Sequence, residues 1–94
     1  MILKDTIELM QSENYKERFI AEYWQTKIRY EKLKVFNTKI EAANRTGYYD
    51  AKKKVEMPPH DCPDDLLRDQ QRVMGEYLHI LEVRAEIEGI KLLK

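Results

Sequence analysis

Between Tyr15 and Asn44 the chain has neither proline nor glycine, and its apolar residues fall at Phe19, Ile20, Tyr23, Trp24, Ile28, Tyr30, Leu33, Phe36 and Ile40. The intervals are mostly three, four and seven, the period of a helix face. The pattern predicts a helix over residues 15–45, a rod of ~45 Å at ~1.5 Å rise per residue. Asn14 with Glu17 three residues later reads as a capping-box-like start, and Gly47 as a stop. A second and more regular pattern follows Pro63. Leu66, Val73, Ile80 and Ile87 recur every seven residues, as do Leu67, Met74 and Leu81, while Tyr77, Leu78 and Ala85 widen the stripe. It predicts a helix over residues 63–89, with Pro63 in the first turn, Asp64 and Asp65 at the positive end of the dipole and Gly89 as the stop. Gly75, mid-helix at a cost of ~1 kcal/mol relative to Ala, marks a place where something packs closely.

Three shorter stretches complete the chain. Within residues 1–12 a short helix is expected over residues 2–11, with Ile2, Leu3, Ile7 and Met10 on one side; ten residues are too few to stand alone, so the segment docks on the main body or frays. Residues 46–62 have no period, and Pro58-Pro59 forbids helix there; residues 90–94 are a tail. The fold class expected is all-α: an antiparallel two-helix hairpin with a short N-terminal helix, forming one domain over residues 1–94. Both long helices carry more apolar surface than one seam covers. In the first, Phe19, Tyr23, Tyr30, Leu33 and Ile40 follow one line and Ile20, Trp24, Ile28 and Val35 another. A stripe this wide requires a second neighbour, either the first dozen residues or another copy completing a helical bundle. The expectation is a homo-oligomer, with Phe19, Tyr23, Trp24, Tyr30, Leu33 and Tyr77 at the interface.

Composition narrows the function classes. Lys and Arg number 17, Asp and Glu 17, and 36% of residues are charged, the make-up of long helices with solvated outer faces. With no basic excess, phosphate-driven nucleic-acid binding is disfavoured. Charge is uneven along the chain: residues 1–56 are +3 and residues 57–94 are −3. The single cysteine, Cys62, excludes an internal disulfide framework and points to a reducing compartment. There is no apolar signal core and no run near the ~20 residues that cross a membrane. The chain is expected in the cytoplasm.

Candidate chemistry is sparse. His60-Asp61-Cys62 places three metal- or proton-active side chains in a row, but consecutive residues cannot wrap one ion and a closed zinc site needs four ligands. Glu76-Tyr77-Leu78-His79 matches the Glu-x-x-His of carboxylate metal bundles, yet the first helix offers no counterpart. Solvated side chains outweigh both readings, so no catalytic residue, metal or cofactor is expected and the chain is read as a non-enzyme. Tyr48 and Tyr49 with Lys52, Lys53 and Lys54 form a basic, aromatic loop that could stack on bases and contact phosphates, although solvation accounts for it as well. Arg84 continues the Gln70/Tyr77 row beside the apolar stripe. A partly buried Arg there implies a paired acid or an anionic ligand, so Tyr77 and Arg84 are candidates for holding a small anionic nucleotide between subunits.

The segments Tyr15-Lys-Glu-Arg-Phe-Ile-Ala-Glu-Tyr-Trp, Lys32-Leu-Lys-Val-Phe and Leu66-Leu-Arg-Asp-Gln-Gln-Arg-Val-Met-Gly-Glu-Tyr-Leu-His-Ile-Leu-Glu-Val-Arg resemble a family of crAss-phage-related small helical phage and prophage proteins. The resemblance implies a phage or prophage origin and a two-helix architecture, with no catalytic residues to carry over. It implies an accessory protein that binds a host component, with counter-defence as a role by analogy. Sequestration of a small anionic (cyclic) nucleotide is the alternative reading, and nucleic-acid binding through the Tyr/Lys loop a third.

Overall fold

The computed structural model describes residues 1–46 and 53–92, and all regular structure among them is helical. A 3-10 turn, Leu3–Thr6, leads into the single turn α1, Ile7–Met10; the long helices are α2, Tyr15–Arg45, and α3, Asp64–Glu88. The long helices occupy residues 15–45 and 64–88, where the periodicity places helices over 15–45 and 63–89. Gly47, expected to stop α2, lies outside the described residues, which show Thr46 already extended after Arg45.

The helix starts are built differently from the sequence expectation. Asn14 is extended and its Oδ1 accepts from the Lys16 N–H at 2.9 Å, as an N-cap should. Glu17 does not complete a capping box with Asn14. It accepts from the Ser12 hydroxyl, and Ser12 Oγ accepts from the Asn14 N–H at 3.0 Å. Arg18 donates to the Ser12 carbonyl at 2.7 Å. Along the exposed side of α2, Lys27 pairs with Glu31 and Arg45 with Glu41, at 3.4 and 2.8 Å. Pro63 stands just outside α3 as its cap, with Asp64 and Asp65 in the first turn.

The end of α3 is set by Gly89, whose φ of 69° is the left-handed conformation that costs a side-chain-bearing residue most. The N–H groups of Gly89 and Ile90 both return to the Ala85 carbonyl, the latter at 2.9 Å. This Schellman turn folds Ile90 back into the core beside Ala85.

Contacts along α2 and α3 fix their direction. Tyr15, at the start of α2, donates from its hydroxyl to Glu88 at the end of α3 (2.9 Å), and Asn44, near the end of α2, donates to Asp64 at the start of α3 (3.3 Å). The two helices therefore run side by side in opposite directions. Their shared core consists of Phe19, Tyr23, Leu78, Leu81, Ala85 and Ile90, with Ile20, Trp24, Tyr30 and Leu92 packed against it. Each large apolar side chain fully buried there stabilises the fold by ~1.5–3 kcal/mol. Farther along, Asn37 crosses the seam: its Nδ2 donates to the Leu67 carbonyl (3.1 Å) and to Gln71 Oε1 (2.9 Å). Because Leu67 O can only accept, the amide has one workable orientation, and its buried Oδ1 has no partner among the described residues. An unsatisfied acceptor costs about 1–3 kcal/mol, so Asn37 ties the helices in register at some expense of stability. Gly75 faces the Tyr30 ring, and a Cβ at 75 would stand 3.2 Å from Tyr30 Cε1; the close packing expected at this glycine is present.

The N-terminal segment docks on α2, and its backbone does not approach α3. Thr6 is buried, donates to the Leu3 carbonyl at 2.7 Å and accepts from Gln25 Nε2 at 3.0 Å. The segment docks at Gln25, while Ile20 and Trp24 of the second apolar line pack against the core and Val35 stays exposed.

The return segment is held by a histidine clasp. His60 Nδ1 faces the Pro58 carbonyl and Nε2 faces Asp64 Oδ1, each at 2.7 Å, while the ring meets Phe36 edge-on. Two acceptors on one imidazole favour the doubly protonated form, so the Pro58 carbonyl first and Asp64 second raise the His60 pKa above its ordinary 6.5. His60 first and Asn44 second lower that of Asp64 below 3.8.

Two predictions follow from these contacts. Gly75→Val, which overfills the space under Tyr30, should lower stability by about 1–3 kcal/mol in urea unfolding. The clasp contributes fully below the unfolded His value and is lost as pH rises through the raised folded value; on the acid side it is lost as pH falls through the lowered Asp64 value. The stability difference between wild type and His60→Ala should therefore be largest near about pH 5 and shrink above about pH 7. A pH series of urea midpoints checks it, and a difference that grows with pH would contradict the clasp.

Candidate functional site

Four of the six residues expected between copies, Phe19, Tyr23, Trp24 and Tyr30, are packed inside the chain. Phe19 and Tyr23 are in the core, because α3 closes directly over their line of α2. Tyr23 donates to Glu82 Oε2 at 2.7 Å; burial first, and Glu82 second, push its hydroxyl pKa far above the ordinary value. Trp24 is half-buried, edge-on to Tyr23, and its Nε1–H donates to the Leu92 carbonyl at 2.7 Å. The tail that follows Gly89, which the helical pattern does not reach, supplies this partner. Tyr30 rests on Gly75, and Leu33 is half-buried. Only Tyr77 remains on an open face.

Of the candidate ligand residues, Tyr48, Tyr49 and Lys52 lie outside the described residues; Lys53 and Lys54 are exposed. Arg84 lies with its guanidinium 4.9 Å from the Phe19 ring centroid, and its Nε donates to Glu88 Oε2 at 2.9 Å. Glu88 also accepts from Tyr15, and Arg84 first and Tyr15 second lower its pKa. Arg84 is thus half-exposed, anchored along one edge by an acid and an aromatic face. Among the described residues its Nη groups carry no hydrogen bond.

The metal-like motifs do not converge. His60 is engaged in its clasp, Cys62 is exposed, His79 is exposed and Glu76 pairs with Arg72 at 3.2 Å. No three His, Cys, Asp or Glu side chains among the described residues come together as a metal site. No described helix is long and apolar enough to cross a membrane.

The unassigned feature is the outer side of α3. Its inner side, Leu67, Gln71, Met74, Leu78, Leu81 and Ala85, is turned toward α2. At 100° per residue, Leu66, Val73, Ile80 and Ile87 form a separate row well around the helix from that side. They are 56%, 54%, 55% and 78% exposed, and Tyr77 and Val83 flank them at 38% and 45%. One border of this row is Gln70, Tyr77 and Arg84; the other is Asp69, Glu76 and Val83. A shallow depression of about 470 Å³ lies along its first half, between Leu66, Asp69, Gln70, Val73 and Met74. A larger one, about 730 Å³, opens at the far end of α3 between Glu82, Ala85, Glu86, Gly89, Ile90, Lys91 and Leu92. With two carboxylates against one lysine it suits an anion poorly, so volume alone does not mark the site. The seven-residue spacing of the outer row was visible in the sequence. That it would be left open was not, because the spacing of Leu67, Met74 and Leu81 is the same.

No curated protein and no solved structure matches the chain. A family model described as Sequestin matches residues 13–87, from just before α2 to the last turn of α3. These comparisons do not tie the chain to crAss-like phages; they replace that resemblance with a family match over most of the sequence. The chain belongs to the Sequestin family.

Proposed function

We propose that this protein acts by sequestration: it binds a small anionic nucleotide and withholds it, without catalysing a reaction. The family name itself speaks of sequestration. The observation that carries the nucleotide reading is the row Gln70/Tyr77/Arg84 along the border of the open apolar face. Tyr77 offers a partly exposed aromatic surface on which a base can stack, and Arg84 offers unengaged guanidinium groups for a phosphate. The two lie two turns apart on one helix face, ~10 Å along the axis. Arg84 Nε is fastened to Glu88, one turn further along, so the Nη edge is the part that would meet a phosphate. Glu88 and Phe19 hold the guanidinium in place, which reduces the entropy lost when a ligand binds. A second copy of the chain beside this row would enclose the ligand between subunits.

The setting we infer is a phage or prophage accessory protein in the cytoplasm of a bacterial host, where withholding a signalling nucleotide would serve counter-defence. That setting is inferred from the sequestering role, since the family match itself carries no statement of origin. A host protein is the second reading, favoured by the same exposed row, since aliphatic anchors at helical spacing are what a grooved partner engages. Nucleic-acid binding has less support: zero net charge gives it no electrostatic basis, and Lys53 and Lys54 show no organised contact with the open face.

The test is thermal denaturation against a panel of linear and cyclic nucleotides, with isothermal titration of any that shift the melting point. A binding nucleotide at 100-fold excess over its Kd should stabilise the fold by about 2.7 kcal/mol. Arg84→Gln should abolish the shift while circular dichroism stays helical, and the nucleotide should be recovered unaltered after release. No shift across the panel would reject the nucleotide reading, and a chemically changed nucleotide would reject a purely binding role.

A further inference from the structure

We infer that the His60 clasp is proton-operated: protonated, the ring pins the return segment, residues 53–62, between α2 and the start of α3; deprotonated, it releases the segment while the two helices stay closed. The inference is independent of what the protein sequesters.

The case begins with how little else holds the segment. From Lys54 to His60 the backbone has no regular structure, and Pro58 and Pro59 have no N–H to donate. Val55 and Met57 are 38% and 43% exposed, so burial does little to fix the segment. Among the described residues it is tied to its surroundings at two places. The Val55 N–H donates to Thr46 Oγ1 at 2.9 Å, and His60 closes the clasp.

Chemistry makes the second tie conditional. The Pro58 carbonyl can only accept a hydrogen bond, and so can an ionised Asp64. His60 Nδ1 and Nε2 face these oxygens at 2.7 Å each, with the side chain 15% exposed. Both contacts are hydrogen bonds only when both nitrogens carry a proton. A neutral ring, in either tautomer, sets one nitrogen lone pair against an oxygen at that distance and has to move. Asp64 does not supply the missing proton near neutral pH, because His60 first and Asn44 second hold its pKa down.

Each element packed on the ring bears on its charge. The segment itself contributes the Pro58 carbonyl and Asp61, and α3 contributes Asp64, whose own charge Arg68 favours. α2 contributes the uncharged Phe36 ring, edge-on at 5.7 Å, and Asn44, which donates to Asp64. Glu41 and Arg45 of α2 line the cavity beside Asp64 and are paired with each other at 2.8 Å. The Pro58 carbonyl first, then Asp64, outweigh burial and raise the ring's pKa above 6.5. The clasp is therefore closed below the ordinary His value and opens as pH rises through the raised one. Opening uncovers the Phe36 edge and the Asp64 carboxylate.

The test is NMR of the full chain from about pH 5 to about pH 9, following the His60 ring nitrogens and the backbone N–H groups together. Both ring nitrogens should be protonated at the acid end, with a titration midpoint above 6.5. Order parameters of the non-proline residues between 55 and 62 should fall from about 0.85 to below about 0.6 with that same midpoint, while α2 and α3 keep theirs. His60→Ala should leave the segment mobile at every pH. Asp64→Asn, which keeps an acceptor but removes its charge, should lower the ring midpoint and the release midpoint together; it carries the comparison should His60→Ala disturb the helices. A single neutral tautomer near about pH 6 with the segment rigid throughout overturns the inference. So does a segment that loosens without following the ring, or one that loosens only when the helices do.

Discussion

The rest of the structure depends on the seam in which Phe19 and Tyr23 of α2 close against Leu78, Leu81 and Ala85 of α3. In a chain of 94 residues with one cysteine and no metal cluster among its described residues, apolar burial along this contact has to supply most of the favourable free energy. It also sets where everything else points. Once Leu78 and Leu81 face α2, helical geometry leaves Leu66, Val73, Ile80 and Ile87 no route to the same core. The open face of α3 is thus a geometric consequence of the closed one.

Polar contacts then convert a sliding contact into one arrangement. Apolar rows with a seven-residue repeat can slip by a heptad with little loss of area. The hydrogen bonds of Tyr15 to Glu88, Tyr23 to Glu82, Asn37 to Leu67 and Gln71, and Asn44 to Asp64 cannot slip with them. Asn37 is the most telling of these, because its nitrogen makes two bonds across the seam while its buried oxygen has no partner among the described residues. The Gly89 turn adds a second kind of constraint. It sends Ile90 and Leu92 back over the end of the core, where the Leu92 carbonyl satisfies the Trp24 indole.

The same layout bears on the sequestration reading. Arg84 belongs to both surfaces: one edge of its guanidinium is fastened to Glu88 over Phe19, and the rest lies beside the outer row. A binding group supported from the core is held at low entropic cost, which a protein acting by affinity alone requires. The outer aliphatics supply the complementary need, a surface that gains by being covered.

The two long helices, their ends at Arg45 and Gly89, the close approach at Gly75 and the excess of apolar surface were all legible in the sequence, because periodicity, capping and glycine act locally. Tyr77 and Arg84 were legible as a row beside the stripe for the same reason. Which of two equivalent heptad rows of α3 would be buried was not legible, since Leu67/Met74/Leu81 and Leu66/Val73/Ile80/Ile87 carry the same signal. Nor was the fate of Phe19, Tyr23, Trp24 and Tyr30, read as lying between copies and found within one chain. Partners more than fifty residues apart, such as Tyr15 with Glu88 and Trp24 with Leu92, leave no mark on local spacing. The sequence by itself determined that the helices form and that one seam cannot cover them. Only the tertiary structure decided which face is spent inside the chain and which is left open, because that choice depends on how side chains from distant turns pack together.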